Sequence, residues 1–237
     1  MANPFANRQT PLVAVPIMAA TLAEVQAQIV PALSSGADVI EWRVDGLRLG
    51  TTELAAAQQL AARIQANGQQ LLVTLRTQQQ GGLATAQQYG QQVQTWCARL
   101  RPDMVDVEFG PVAAAVMATL PPLPVVLSWH DFAGTPADAV LQQRLCDMAA
   151  LKPALLKLAL MPQTAGDVLR ILQLSAWAHQ HLDVPVALMG MGNLGRITRV
   201  AGRLFGTALT FASAGVSSAP GQMPVAEVQR LLQDFGK

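Results

Sequence analysis

Eight short runs of apolar and β-branched residues recur along the chain, each separated from the next by a longer amphipathic stretch rich in Ala, Leu and Gln. A short continuous apolar run fits a strand buried on both faces. Such strands belong to parallel sheets covered by helices, and each parallel neighbour needs a crossover of about a dozen residues or more. The pattern predicts strands at 12–18, 38–45, 70–76, 104–109, 125–130, 155–161, 186–189 and 208–212. Two of the intervening helices carry start signals. Thr21 with Glu24 has capping-box spacing, and Thr135-Pro136 places an N-cap before a proline at the first helical position. Eight strands alternating with helices over 237 residues predict an α/β protein, a single (β/α)8 TIM barrel with its active site at the C-terminal ends of the strands. Residues 1–237 then form one catalytic domain, with 1–10 as an N-terminal extension. A doubly wound open sheet stays as the alternative, because periodicity does not show closure.

Composition narrows the function classes. Hydrophobic residues make up 51% and charged residues 13%, enough to fill a large core. Sixteen Lys and Arg against fifteen Asp and Glu give a net charge of +1 without charge blocks, so neither nucleic acid nor an anionic membrane is an expected partner. Cys97 and Cys146 are too few for a disulfide framework or a Cys-based zinc site and are expected to be buried free thiols. Residues 1–11 lack the apolar region of a signal peptide, and no stretch reaches the roughly 18 apolar residues of a membrane span. A cytoplasmic protein is expected. The glutamines between the second and fourth strands, Gln58 to Gln94, are expected on solvated helix faces and in loops.

Polar residues inside the apolar runs are the candidates for chemistry. In a barrel strand, residues at i, i+2 and i+4 share the lumen or its rim. Glu41, Arg43 and Asp45 fall on one such face, as do Asp106 and Glu108. Each set reads either as an ion-pair plug or as a binding site, since charges at a rim cost desolvation unless paired. Lys157 interrupts Leu155-Leu156-Lys157-Leu158-Ala159-Leu160, where burial disfavours the ammonium and favours the free amine that forms a Schiff base with a ketone. His130 closes the preceding strand, so the two side chains are expected at the same end of the barrel. An imidazole beside a lysine imine suits removal of the proton alpha to the imine carbon. His179 and His181 lie at a helix end and are expected at the surface. Arg199 follows a glycine-bearing turn and reads either as a carboxylate clamp or as a solvated helix residue. The segment Ser217-Ser218-Ala219-Pro220-Gly221-Gln222 reads either as a loop over a ligand or as a surface turn.

The motifs are also ordered. They are Glu41-Trp42-Arg43-Val44-Asp45; Thr74-Leu75-Arg76-Thr77 with Gly81-Gly82; Ser128-Trp129-His130-Asp131-Phe132; Lys157 with Met161-Pro162; Gly195-Arg196-Ile197-Thr198-Arg199 with Leu204-Phe205-Gly206; and Ser218-Ala219-Pro220-Gly221-Gln222. Together, over about residues 12–232, the set resembles the type I 3-dehydroquinate dehydratases. The resemblance implies a homodimeric (β/α)8 barrel of the shikimate pathway that converts 3-dehydroquinate to 3-dehydroshikimate and water with no metal and no organic cofactor. By position it implies that Lys157 forms the imine and that His130 moves the proton. It makes Glu41, Arg43 and Arg76 the contacts to the ring and its hydroxyls, Arg199 the carboxylate clamp, and Ser218 and Gln222 part of the closing loop. Three positions depart from the family pattern. Gln80 stands where a glutamate precedes Gly-Gly, Asn193 where a lysine follows Met-Gly, and Thr198 where a serine precedes the arginine. Gln80 can orient His130 but brings no charge. Two alternatives therefore stand beside an active dehydratase: a Schiff-base barrel acting on another ketone, and a binding or regulatory homologue with weakened catalysis.

Overall fold

Every predicted strand forms. The computed structural model describes residues 3–50, 52–215 and 220–235. Its elements are β1 (Leu12–Met18), α1 (Leu22–Ser34), β2 (Val39–Arg43), α2 (Leu54–Ala66), β3 (Gln70–Thr74), α3 (Tyr89–Leu100), β4 (Met104–Glu108), α4 (Ala113–Thr119), β5 (Val125–Asp131), α5 (Asp138–Ala150), β6 (Leu155–Leu160), α6 (Ala165–His181), β7 (Val186–Gly190), α7 (Gly192–Gly195), α8 (Thr198–Ala201), β8 (Leu209–Phe211) and α9 (Val225–Asp234). The strands pair in parallel in the order β7-β6-β5-β4-β3-β2-β1-β8. Val186 and Thr207 bridge the remaining seam, where the Ala208 N–H donates to the Val186 carbonyl at 2.8 Å. The sheet is therefore a nearly closed barrel rather than an open doubly wound sheet.

Strand alternation sorts the apolar residues into two cores. Val13, Ile40, Val73, Val105, Leu127 and Leu158 face outward, where they meet helix residues such as Val25, Ile29, Ile64 and Leu145. Leu12, Val39, Leu72, Met104, Val126 and Leu155 face inward and fill the N-terminal half of the lumen. Polar side chains occupy the other half. A filled lower half makes the barrel a packed core with one working end.

Several details differ from the sequence reading. Residues 3–10 are more than an extension: Phe5 is 1% exposed within the inner core, and the Asn3 amide donates to the Ala154 carbonyl at 2.9 Å. The capping box at Thr21 and Glu24 forms, and Thr164 with Asp167 makes a second at the start of α6. Helix α5 begins at Asp138, after an extended Ala137, so Thr135 does not cap it. Gln69 is buried, since its amide donates to the carbonyls of Ala32, Leu33 and Ala37 where the chain leaves α1. Cys97 is buried, and burial pushes its thiol up to about 11, whereas Cys146 is exposed. His179 and His181 are exposed as expected.

Phe5 gives a direct test of the lower plug. Phe5→Ala should lower unfolding free energy by about 3–5 kcal/mol, the usual cost of emptying a buried phenylalanine site. Urea titration of the two proteins measures it, and a loss under 1 kcal/mol, within the range of surface substitutions, would show that Phe5 does not close the barrel.

Candidate active site

At the C-terminal ends of the strands lies an open-mouthed cavity lined by Glu41, Arg43, Arg76, Gln80, His130, Lys157, Arg199 and Gln222. Every residue to which the resemblance gave a site role is on this lining except Ser218, whereas Asp45, Asp106 and Glu108, the other charged residues of the strand runs, stand behind it. Ser218 lies outside the described residues. Gly81, Phe132, Ala159, Met189, Met191, Phe211 and Pro220 complete the wall.

Strand register places the polar groups. Thr74 of β3 is level with Asp106 of β4, and Glu108, Ser128 and Lys157 are level across β4, β5 and β6. Lys157 is not isolated among apolar neighbours, as its strand had suggested. Its Nζ lies 3.3 Å from Glu41 and 3.2 Å from Asp106, and 4.4 Å over the Phe211 ring. The partners come from β2 and β4, so the local sequence could not show them. Asp106 is fully buried and also accepts from Arg76 at 2.9 Å and from the Ser128 hydroxyl at 2.6 Å. Burial alone would raise its carboxyl, but Arg76, Lys157 and the Ser128 hydrogen bond hold it below the ordinary value. Glu41 accepts from the Thr74 hydroxyl at 3.0 Å.

Arg43 and Asp45 pair bidentately at 2.7 and 2.8 Å. The Asp45 carboxylate also accepts from the Leu83 N–H at 3.0 Å. Burial would raise it, and the arginine and backbone bonds bring it below its usual range. The three charges of the β2 run are thus divided. Glu41 turns to the lysine, while Arg43 and Asp45 satisfy each other.

His130 sits one strand from Lys157, paired with Ala159 two residues beyond it. The Gln80 Oε1 lies 3.1 Å from the backbone N of His130 and 3.0 Å from its ring Nδ1. A backbone N–H only donates, so the oxygen of the amide faces it. That same oxygen then accepts from Nδ1–H, which leaves Nε2 as the unprotonated nitrogen. Burial, followed by the charges of Arg76, Lys157 and Arg43, pushes His130 well below its ordinary value. The imidazole is therefore a neutral Nδ1–H tautomer at neutral pH. No carboxylate contacts it among the described residues, since Glu41 and Glu108 are bonded elsewhere.

Arg199, on the four-residue helix α8, is 2% exposed and not a solvated helix residue. Its Nη1 meets the Met189 sulfur at 3.7 Å and the Phe211 carbonyl at 3.4 Å, and its Nε is buried without a partner. Among the described residues no carboxylate reaches it. Burial lowers its guanidinium to about 10. The Thr198 hydroxyl beside it accepts from the Gly190 N–H at 2.8 Å and donates to the Gly195 carbonyl at 2.7 Å, bonds that a serine would also make. The Pro220 carbonyl accepts from the Gly192 N–H, which brings Gln222 to the rim. A Cβ on Gly221 would lie 2.2 Å from the Gly192 carbonyl oxygen, so only glycine allows this approach.

Residues 13–237 match the family model described as Type I 3-dehydroquinase. The 3-dehydroquinate dehydratase of Lactiplantibacillus plantarum is 37% identical over 95% of this chain and 92% of its own length. That of Albidiferax ferrireducens is 34% identical over 97% and 90%. The crystal structure of 3-dehydroquinate dehydratase from Geobacillus kaustophilus superimposes with a TM-score of 0.87 at 31% identity, covering 95% of this chain and 91% of that one. The Clostridium difficile type I enzyme with covalently modified comenic acid gives 0.85 at 29% identity, over 96% and 93%. With that match over nearly its whole length, the chain belongs to the type I 3-dehydroquinase family.

Proposed function

We propose that this chain dehydrates 3-dehydroquinate to 3-dehydroshikimate, a step of the shikimate pathway, through an imine on Lys157. The observation that carries the reading is one cavity holding a lysine, a neutral imidazole on the next strand and a buried arginine that no carboxylate reaches among the described residues. The substrate carries a ketone, an acidic C–H beside it, a hydroxyl one carbon further on and a carboxylate. Each finds a group of matching chemistry.

Lys157 Nζ attacks the ketone carbon after its proton passes to a neighbouring base, and loss of water gives the iminium. Glu41 and Asp106 hold the nitrogen before attack and offset its positive charge afterwards. His130 Nε2 takes the proton from the carbon alpha to the iminium, leaving an enamine. The electron pair then expels the hydroxyl, protonated by His130, as water. Hydrolysis of the conjugated iminium frees the product and restores the amine. Arg199 binds the substrate carboxylate bidentately, and Glu41, Arg43, Arg76, Ser218 and Gln222 hold the ring. Within this reading the protein is a cytoplasmic homodimer using neither metal nor organic cofactor, since the iminium is itself the electron sink. A barrel that only binds its ligand has no use for a lysine and an imidazole placed in this way.

Three outcomes are expected. Purified protein should turn 3-dehydroquinate into the enone, seen as new ultraviolet absorbance, and borohydride added during turnover should fix ligand mass to Lys157. An adduct on Lys152, or an active enzyme with no adduct, would sink the imine. Arg199→Ala should raise KM roughly 30- to 4,000-fold, the equivalent of about 2–5 kcal/mol for a buried charge pair; an unchanged KM would assign the carboxylate to Arg43 or Arg76.

Gln80→Glu sets a carboxylate against Nδ1–H, which favours imidazolium. The reaction needs neutral His130, so activity is lost as pH falls through its titration. With glutamine that acidic limb lies well below the ordinary histidine range near 6.5. With glutamate it should move up by roughly 1–3 pH units, and turnover at neutral pH should rise. Superimposable limbs would show that position 80 does not couple to His130.

A further inference from the structure

The turn that carries Gln80 has little to hold it in place by itself. It is a single 3₁₀ turn, Gln78–Gln80, and such turns have poor internal hydrogen-bond geometry. The Gln78 N–H donates to the Ala84 carbonyl at 2.8 Å and the Leu83 N–H to Asp45 at 3.0 Å, and the hold nearest Gln80 comes from Thr77. The Thr77 carbonyl accepts from the Gln80 N–H at 3.0 Å and the Gly82 N–H at 2.8 Å. On its other side, the Thr77 N–H donates to Glu108 Oε1 at 2.8 Å and its hydroxyl to Glu108 Oε2 at 2.6 Å. Thr77 is 4% exposed and Glu108 6%. One carboxylate on the β4 end therefore grips one residue through both of its donors, and that residue grips the turn. Tyr89 fixes the strand end in its turn, because its hydroxyl accepts the Glu108 N–H at 2.8 Å.

We propose that Thr77, held by Glu108, is a positioning residue that sets the turn at the height where the Gln80 oxygen meets both donors of His130, thereby fixing the Nδ1–H tautomer. The inference rests on the reading of His130 as the proton-transferring group. The chain of contacts runs Glu108, Thr77, Gln80, His130, and neither Thr77 nor its hydroxyl lines the cavity. Losing the hydroxyl removes one of the two bonds by which Glu108 holds Thr77, and the turn is then free to shift. The Gln80 oxygen then no longer holds the ring nitrogen, and Nε2 becomes protonated in part of the molecules. Those molecules have no base facing the substrate.

The test uses this chain labelled with ¹⁵N-histidine, whose three histidines give few signals. His130 in the unsubstituted protein should show a protonated Nδ1 and a bare Nε2. Thr77→Val keeps the shape and removes the hydroxyl, and should populate the Nε2–H form. It should also lower kcat about tenfold with KM within twofold, the pattern of a lost orientation rather than lost binding. Thr77→Ser, which keeps the hydroxyl, should restore both tautomer and kcat. Glu108→Gln, with one acceptor oxygen fewer, should shift the tautomer in the same direction and serves where Thr77→Val does not fold. A folded variant whose His130 keeps the Nδ1–H form overturns the proposal, even if its turnover has fallen. Failure of the unsubstituted protein to release the enone would overturn the dehydratase reading instead, and the tautomer measurement does not depend on it.

Discussion

The polar half of the barrel depends on one buried carboxylate, Asp106. It has no exposed surface and accepts from Lys157, Arg76 and Ser128, so it joins the two cations on either side of it. An unpaired charge at that depth would cost several kcal/mol, and so would either cation without it. The network requires the parallel register, because Thr74 must stand level with Asp106 and Ser128 with both Glu108 and Lys157. A slip of one residue would turn every polar group toward the apolar helices. The ion pairs are therefore weak as a source of stability and strong as a specification of register.

Much of this was legible in the sequence, and the parts that were not have a common cause. Strands and their inward faces follow from period two, which is why Glu41, Arg43, His130 and Lys157 could be named together. The same period also marks Thr74 and Ser128. Inward rows read apolar, then polar, in Leu72-Val73-Thr74 and Val126-Leu127-Ser128, but single hydroxyls in apolar strands draw no attention beside charges. What period two does not carry is the partner across the barrel. Lys157 meets residues 51 and 116 positions away, and from its own strand alone it looks like a lone amine. The burial of Arg199 was hidden for a related reason. A helix of four residues has no periodicity, and its depth is set by the loop between β7 and β8. Phe5 lay in a stretch without pattern, although a lone aromatic ahead of the first strand is a reasonable sign of a plug.

Arg199 shows where stability has been given up. Among the described residues, three of the four cations around the cavity have carboxylate partners: Arg43 with Asp45, Arg76 with Asp106 and Glu108, and Lys157 with Glu41 and Asp106. Arg199 faces a thioether and a carbonyl, which orient a guanidinium without neutralising it. Such a group is already desolvated before a ligand arrives. An incoming carboxylate thus gains the attraction while the protein's share of the desolvation has been met in folding. The apolar plug at the opposite end, Phe5 with Leu12, Val39 and Leu155, supplies packing that offsets the desolvation cost of the polar end.

Gln80 affects the two halves of the proposed proton transfer in opposite ways. With an amide at Nδ1, an imidazolium at His130 would face Arg76, Arg43 and the lysine nitrogen with no carboxylate of its own. His130 is then a weaker base toward the substrate carbon and, once protonated, a stronger acid toward the departing hydroxyl. The weaker base is tolerable because the iminium on Lys157 acidifies the neighbouring C–H, which a free ketone does far less. What must survive the loss of charge is the geometry. A neutral imidazole has two tautomers, and only one leaves Nε2 bare toward the cavity. A glutamate would select that tautomer by charge as well as by hydrogen bonding; a glutamine can do so only by presenting its oxygen at the right place. The demand on the turn between Thr77 and Gly82 is therefore greater in this chain than in one with a carboxylate at position 80. The two glycines meet it by packing, since a Cβ on Gly81 would lie 2.5 Å from the Phe132 ring and one on Gly82 would lie 2.1 Å from the Arg76 carbonyl oxygen.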